Sequence, residues 1–242
     1  MSQYILSAQD VSKRFGGKHA VENVSINLLP SIVTGLIGPN GSGKTTFLNL
    51  ISGYIHADSG RIFFDGRDIT NLEPFEIARV GLGRTFQTSR LFSSMSVREN
   101  LFASTLQGMQ GKRHPKELEE KAFRWLEMFK LSDYVDCEAT KLSYGQQKFL
   151  EIVCTLIRQP KLALLDEPAS GLNPVLQSLL QQVLRSLTKE GIGTLIIEHN
   201  VQFVFDICER VIVMNDGRSL AEGTPAEIRY DPKVIETYLG GV

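Results

Sequence analysis

Gly38-Pro39-Asn40-Gly41-Ser42-Gly43-Lys44-Thr45 has the G-x-x-x-x-G-K-T spacing of a loop that cradles phosphate. Glycines let backbone N–H groups curl around anionic oxygens with no Cβ in the way. Lys44 brings a charge that can reach β- and γ-phosphates, and the Thr45 hydroxyl suits a Mg²⁺ ion. Thr46 directly follows and is grouped with the nucleotide-binding residues. The pattern implies that the chain binds a nucleoside triphosphate.

Two further groupings carry chemistry. Leu162-Ala163-Leu164-Leu165-Asp166-Glu167 is an apolar run ending in two acids. If its end emerges beside the phosphate loop, Asp166 is placed to hold Mg²⁺, directly or through water, and Glu167 to act as general base on an attacking water. Leu142-Ser143-Tyr144-Gly145-Gln146-Gln147 stands just before an apolar-periodic stretch. Ser143 and Gly145 could offer a hydroxyl and N–H groups to a phosphate at a helix N-terminus. Locally, an ordinary helix cap explains Ser143 as well.

These residues need a scaffold of alternating strands and helices. Ile32–Ile37 reads as a buried strand and Thr46–Ile51 as the start of a helix, so the phosphate loop has the strand–loop–helix context it requires. Ile5–Val11 and Ala20–Leu28 read as antiparallel strands joined through Phe15-Gly16-Gly17, and Arg61–Phe64 as a strand closed by an Asp65-Gly66-Arg67 turn. From about residue 88 to 140 the character changes to a helical insertion. There Leu118, Lys121, Ala122, Trp125, Leu126 and Phe129 set a helix over Pro115–Lys130. Later expectations are helices at Gln146–Arg158, Pro174–Lys189 and Val201–Cys208. Strands are expected at Leu162–Leu165, Thr194–Ile197 and Val211–Met214, with a helical tail at Pro225–Tyr230 and Pro232–Leu239. The fold class is therefore α/β.

Composition narrows the possibilities. With 242 residues, 42% hydrophobic, the chain can bury a substantial core. A net charge of −1 gives no footprint for nucleic acid. No apolar run approaches the ~20 residues of a membrane-spanning helix, and Met1-Ser2-Gln3-Tyr4 does not open a signal peptide. Cys137, Cys154 and Cys208 have neither disulfide-framework nor zinc spacing, which favours a reducing cytosolic setting. Cys154 and Cys208 sit in apolar helical patterns as expected core thiols.

The phosphate loop, the Leu-Ser-x-Gly-Gln segment and the strand ending Asp-Glu, in that order, resemble the ATPase subunit of an ABC transporter over nearly the whole chain. The resemblance implies one ABC ATPase domain: a RecA-like P-loop NTPase core with an antiparallel β-subdomain at about 1–87 and 160–242, and a helical subdomain at about 88–159. It implies ATP and Mg²⁺ as the bound groups. It gives Gln87, in Arg84-Thr85-Phe86-Gln87, a place on Mg²⁺ and the attacking water, and His199 a contact with the γ-phosphate. An amide can ligate a cation and an imidazole can donate to phosphate. Without the family, Gln87 passes as a solvated loop residue and His199 as a polar residue closing a strand. Phe15 falls where such ATPases carry an aromatic that stacks on adenine, although a loop aromatic packed on the β-subdomain reads the same way.

The resemblance also implies partners. Two ATPase chains, identical or different, pair head to tail, so that ATP on Lys44 of one is capped in trans by the signature residues Ser143, Tyr144, Gly145 and Gln146 of the other. Opening and closing then drives separate integral membrane permease subunits from the inner face of the cell membrane, with a substrate-binding protein in the full system and no nucleic acid. Leu91, Phe92 and Met95 could line a groove for a permease helix or anchor the helical subdomain.

Two departures from the usual pattern, Tyr144 for a glycine and Asn173 for an aspartate, look like the branch serving branched-chain and other nonpolar amino acids. The Arg-Thr-Phe-Gln segment, Gly171-Leu172-Asn173-Pro174 and the Val234–Gly240 tail look like that branch too. A urea or amide importer, a lipopolysaccharide exporter, or a soluble ABC ATPase working on DNA, ribosomes or iron–sulfur assembly are the alternatives. The absence of long coiled-coil insertions counts against a DNA-repair ATPase, and that of a fused second unit against a translation-linked one. An iron–sulfur assembly ATPase fits by size but has less similar segments around the glutamine loop.

Overall fold

The computed structural model describes residues 3–86, 91–106 and 115–239. Two sheets organise the chain. The smaller is antiparallel, in the order β2-β1-β4-β5, built from β1 (Leu6–Phe15), β2 (Lys18–Leu28), β4 (Ser59–Phe64) and β5 (Arg67–Asp68). The larger runs β10-β9-β3-β8-β7-β6, from β3 (Val33–Ile37), β6 (Leu82–Arg84), β7 (Leu162–Asp166), β8 (Gly193–Ile197), β9 (Arg210–Asn215) and β10 (Arg218–Gly223). Its strands are parallel except for the β9–β10 hairpin.

Every residue of β3, β7 and β8 is buried. Their largely apolar runs follow from covering a parallel sheet on each face. The side chains still alternate. Val33 and Ile37 of β3 join Ala163, Leu165 and Ile196 in a core that reaches the helices, while Leu36 joins Leu164, Leu195 and Ile212 in a core that reaches the small sheet. Helix α1 (Lys44–Ile51) is fixed in this second core by Phe47, Leu48, Leu50 and Ile51. Burying such side chains contributes about 1.5–3 kcal/mol each, so the phosphate loop is pinned at its β3 and α1 ends.

Helix α2 (Pro74–Val80) leads into β6. The helical region contains α3 (Val97–Leu106), α4 (Pro115–Met128) and α5 (Tyr144–Leu156). Trp125, Leu126 and Phe129 bury the expected face of the α4 segment, and the Phe129 and Phe149 rings lie 4.9 Å apart, fastening it to α5. Helix α6 (Pro174–Lys189) starts on an Asn173 cap with proline at its first position and buries Leu180, Val183, Leu184 and Leu187 at helical spacing. Helices α7 (Val201–Ile207), α8 (Pro225–Tyr230) and α9 (Pro232–Val234) follow, and Ile235–Leu239 winds as a π-helix.

Several boundaries differ from expectation. The helix expected from Gln146 starts at Tyr144, because the Ser143 capping box admits the signature residues into its first turn. The α4 segment stops at Met128, and Lys130 adopts a left-handed backbone with φ 56°. Helices α2 and α3 and strands β6 and β10 had no counterpart in the sequence expectations. Among the described residues, no helix is long and apolar enough to cross a membrane.

Candidate functional site

The phosphate loop leaves β3 at Ile37 and enters α1 at Lys44. Gly43 caps α1 with φ 102°, and a Cβ there would stand 2.4 Å from the Ala20 carbonyl oxygen, so only glycine fits. No side chain caps the helix, so its first-turn N–H groups face the loop without an internal side-chain acceptor. Lys44 is only 5% exposed. Its Nζ donates to the Gly38 and Pro39 carbonyls at 2.8 and 2.9 Å and lies 3.4 Å from Ser42 Oγ, which holds the ammonium at the centre of the loop. Burial pushes its pKa below the usual lysine value, with Glu167 and Asp166 pulling the other way. A concave run of N–H groups with one buried, poorly hydrated cation fits a triphosphate.

Beside the loop lies a cleft of ≈ 610 Å³, lined by Phe15, Asn40, Lys44, Thr45, Glu167 and His199, with Thr46 and Gly41 also at its wall. Phe15 stands at the end of β1, 53% exposed, with Lys13 Nζ 5.8 Å from its ring centre. The ring lines the cleft and lies outside both buried cores.

Glu167 directly follows β7 and has φ 49°, a left-handed backbone uncommon for a residue with a side chain. Its N–H donates to Ile197 O at 2.9 Å, and its Oε1 lies 2.9 Å from His199 Nε2. Asp166 is buried, its N–H donating to Thr85 Oγ1 at 3.2 Å. Burial raises its pKa above the usual aspartate value; the Arg84 guanidinium, 3.9 Å away, is the main opposing influence. Among the described residues, no three His, Cys, Asp or Glu gather as a metal cage. A hydroxyl, a carboxylate and phosphate oxygens are nevertheless the donors a Mg²⁺ ion usually takes beside its waters. Gln87 lies outside the described residues.

Ser143, Tyr144, Gly145 and Gln146 line no part of this cleft. They form the start of α5, where Ser143 Oγ accepts from Gln146 N at 3.4 Å and Gln146 Oε1 accepts from Ser143 N at 2.9 Å. Tyr144 is exposed, whereas Gly145 is buried with Leu176 Cδ1 2.6 Å from where its Cβ would be. Asn173 accepts from Leu176 N at 3.0 Å as the α6 cap. A separate groove of ≈ 370 Å³ runs past Tyr54, Arg84, Phe86, Leu91, Phe92 and Cys154; Met95 is outside its lining. Cys208 is buried as expected, and burial pushes the partly buried Cys154 thiol up to about 12.

Sequence reasoning missed the groups that hold the acids. Arg84 Nη1 reaches Ser52 Oγ at 2.5 Å and the Leu48 carbonyl at 3.4 Å, while its guanidinium lies 5.2 and 4.9 Å from the Tyr54 and Phe86 rings. Lys148 Nζ donates to the carbonyls of Glu167 and Ser170 at 2.6 and 2.9 Å. Glu198, 2% exposed, accepts from Ala169 N at 2.6 Å; burial raises its pKa and that N–H opposes the shift. No spacing rule marks them, because each contact spans separate elements.

Comparison with known proteins adds the following. The ABC transporter family model matches residues 21–170, and a model described as branched-chain amino acid ATP-binding cassette transporter matches 218–242. A probable branched-chain amino acid transport ATP-binding protein of Archaeoglobus fulgidus is 42% identical, covering 98% of this chain and 95% of the relative. The high-affinity branched-chain amino acid transport ATP-binding protein of Escherichia coli K12 is 40% identical, with 99% of each chain covered. A crystal structure of the ADP conformation of an ATP-binding cassette of an ABC transporter superposes with a TM-score of 0.88 at 38% identity, covering 99% of this chain and 100% of the other.

Proposed function

This chain belongs to the ABC transporter family, and from that premise we propose how its residues turn ATP hydrolysis into transport. The observation that carries the reading is that Lys44 of the phosphate loop and the Glu167–His199 pair face one cleft. The loop N–H groups and Lys44 hold the phosphates, and the Phe15 ring offers a platform for the adenine. Glu167 takes a proton from the attacking water, and His199 holds the Glu167 carboxylate while standing ready to donate to the γ-phosphate. Thr45, Asp166 and Gln87 would hold Mg²⁺, which would supply neutralisation of the phosphate charge. The left-handed backbone of Glu167 costs about 1–3 kcal/mol, so the surrounding contacts must hold the base at the cleft wall.

The signature residues serve another chain. Their position at the exposed start of α5, outside this chain's own cleft, supports capping of a nucleotide held by a second ATP-binding subunit in a head-to-tail pair. The groove beside Phe86, Leu91 and Phe92 supports docking of a helix of an integral membrane permease, with the chain on the inner face of the membrane. The cargo is a branched-chain or other nonpolar amino acid, delivered by a substrate-binding protein. The names of the relatives and the match of the tail at 218–242 support this choice over urea, amide or lipopolysaccharide.

Hydrolysis by the transporter assembled with its permease tests the reading. Glu167→Gln should keep ATP binding and lower turnover by at least ~10²-fold, as expected for removal of a general base. Parent-like turnover in Glu167→Gln would remove Glu167 from that role. Uptake of radiolabelled leucine, isoleucine or valine by vesicles carrying the parent transporter tests the cargo, and uptake of urea alone would redirect it.

A further inference from the structure

The catalytic acid does not hold its own backbone in place. Glu167 has φ 49°, and the segment from Glu167 to Ser170 is tied at successive peptide groups. The Glu167 N–H is taken by Ile197 at the end of β8, and the Ala169 N–H by the buried Glu198 carboxylate one position beyond it. The Glu167 and Ser170 carbonyls converge on one ammonium, Lys148 Nζ, at 2.6 and 2.9 Å. Two carbonyls on one charged donor form a clamp, because an ammonium offers separate N–H bonds to each.

Lys148 comes from α5, the helix whose first turn is the signature segment. Its Nζ also lies 5.5 Å from the centre of the Tyr144 ring, and that ring comes within 2.8 Å of where a Cβ on Gly171 would stand. The α5 N-terminus and the segment 167–171 are therefore in direct contact through Tyr144 and Lys148. The clamp uses an amine carried by the same helix that the proposed head-to-tail pairing presses against a neighbouring nucleotide.

We propose that Lys148 is a positioning residue for the base: it sets the backbone of Glu167 and makes that setting depend on how α5 is seated. Closure of this chain's signature segment over a neighbour's nucleotide then aligns the base in this chain's own cleft. The inference rests on the reading of Glu167 as the base. Lys148 lines no part of the nucleotide cleft, so its effect is on the rate of the chemical step and not on ATP binding.

The test compares Lys148→Met and Lys148→Arg with the parent in the transporter assembled from this chain, its permease and the second ATP-binding subunit. Lys148→Met should lower kcat by about 10- to 100-fold, the scale of loss when a reacting group is misplaced, with KM and ATP affinity within about twofold. Lys148→Arg, which keeps a charged donor, should recover most of the rate. Should Lys148→Met melt too low to assay, Lys148→Gln carries the same test with a single neutral amide. Parent-like kcat in the charge-removing variant overturns the proposal. So does a parallel loss of ATP affinity, melting temperature and kcat that arginine fails to rescue, which marks a purely structural lysine. Glu167→Gln run alongside separates the failures. If it turns over normally, the base assignment falls and the clamp with it; if it is dead while Lys148→Met is normal, only the clamp falls.

Discussion

Two helix N-termini in this molecule place glycine beside a hydroxyl residue, and they are finished in opposite ways. At α1, Gly43 caps without a side-chain hydrogen bond, and the nearby Lys44 is buried with its ammonium turned into the loop. At α5, Ser143 and Gln146 satisfy each other's backbone donors, Tyr144 stands in solvent, and Gly145 is there to let Leu176 approach. The α1 terminus has its charge, its cleft and its acids within one chain. The first turn of α5 lines no part of that cleft, and on the proposed reading the anion it meets arrives with another subunit. On that reading the site is complete in sequence order yet distributed between subunits in space.

That contrast can be broken at several points. Lys44→Ala should have the largest effect, lowering turnover by at least ~10²-fold, since it removes a preorganised charge from the phosphate site. Isothermal titration with ATP should show the matching loss of affinity. Gly145→Ala tests the other terminus. Its new methyl meets the flexible ends of Leu176 and Leu172, at 2.6 and 3.2 Å, so overpacking should cost about 1–3 kcal/mol by thermal melting. Turnover in the assembled transporter should fall while ATP affinity of the isolated chain holds; loss of that affinity would count against separation of the two termini. Phe15→Ala should have the smallest effect, weakening ATP binding by about 0.5–1.5 kcal/mol, the worth of an aromatic stacking contact. Since Phe15 is mostly exposed, melting should not move, and a clear drop would return it to a packing role.

Legibility differed in the same way. Helix α6 was readable to both ends because Asn173, Pro174 and the spacing of Leu180, Val183, Leu184 and Leu187 agree. The phosphate loop and the Asp166–Glu167 strand end were readable because a local motif and its flanking elements agree. Helix α3 was missed because its buried Val97 and Leu101 are interleaved with Arg98, Glu99 and an exposed Phe102. Strand β10 buries no residue fully, yet its Asp216-Gly217 turn, with φ 45° and 78°, is a hairpin signal present in the sequence and not used. Arg84, Lys148 and Glu198 were invisible for a different reason. Lys148 meets Glu167 across 19 positions and Ala169 meets Glu198 across 29, and only folding brings them together.

The central claim is that the α5 terminus completes a site on another subunit, and Ser143→Arg tests it most directly. ATP affinity of the isolated chain and turnover of the assembled transporter should be measured on the same preparation. The account predicts parent-like affinity, a stability lowered only by the loss of a cap, about 0.5–2 kcal/mol, and turnover reduced by at least ~10²-fold. Unchanged turnover, or an affinity that falls together with it, would contradict the account and return the segment to this chain's own fold or cleft.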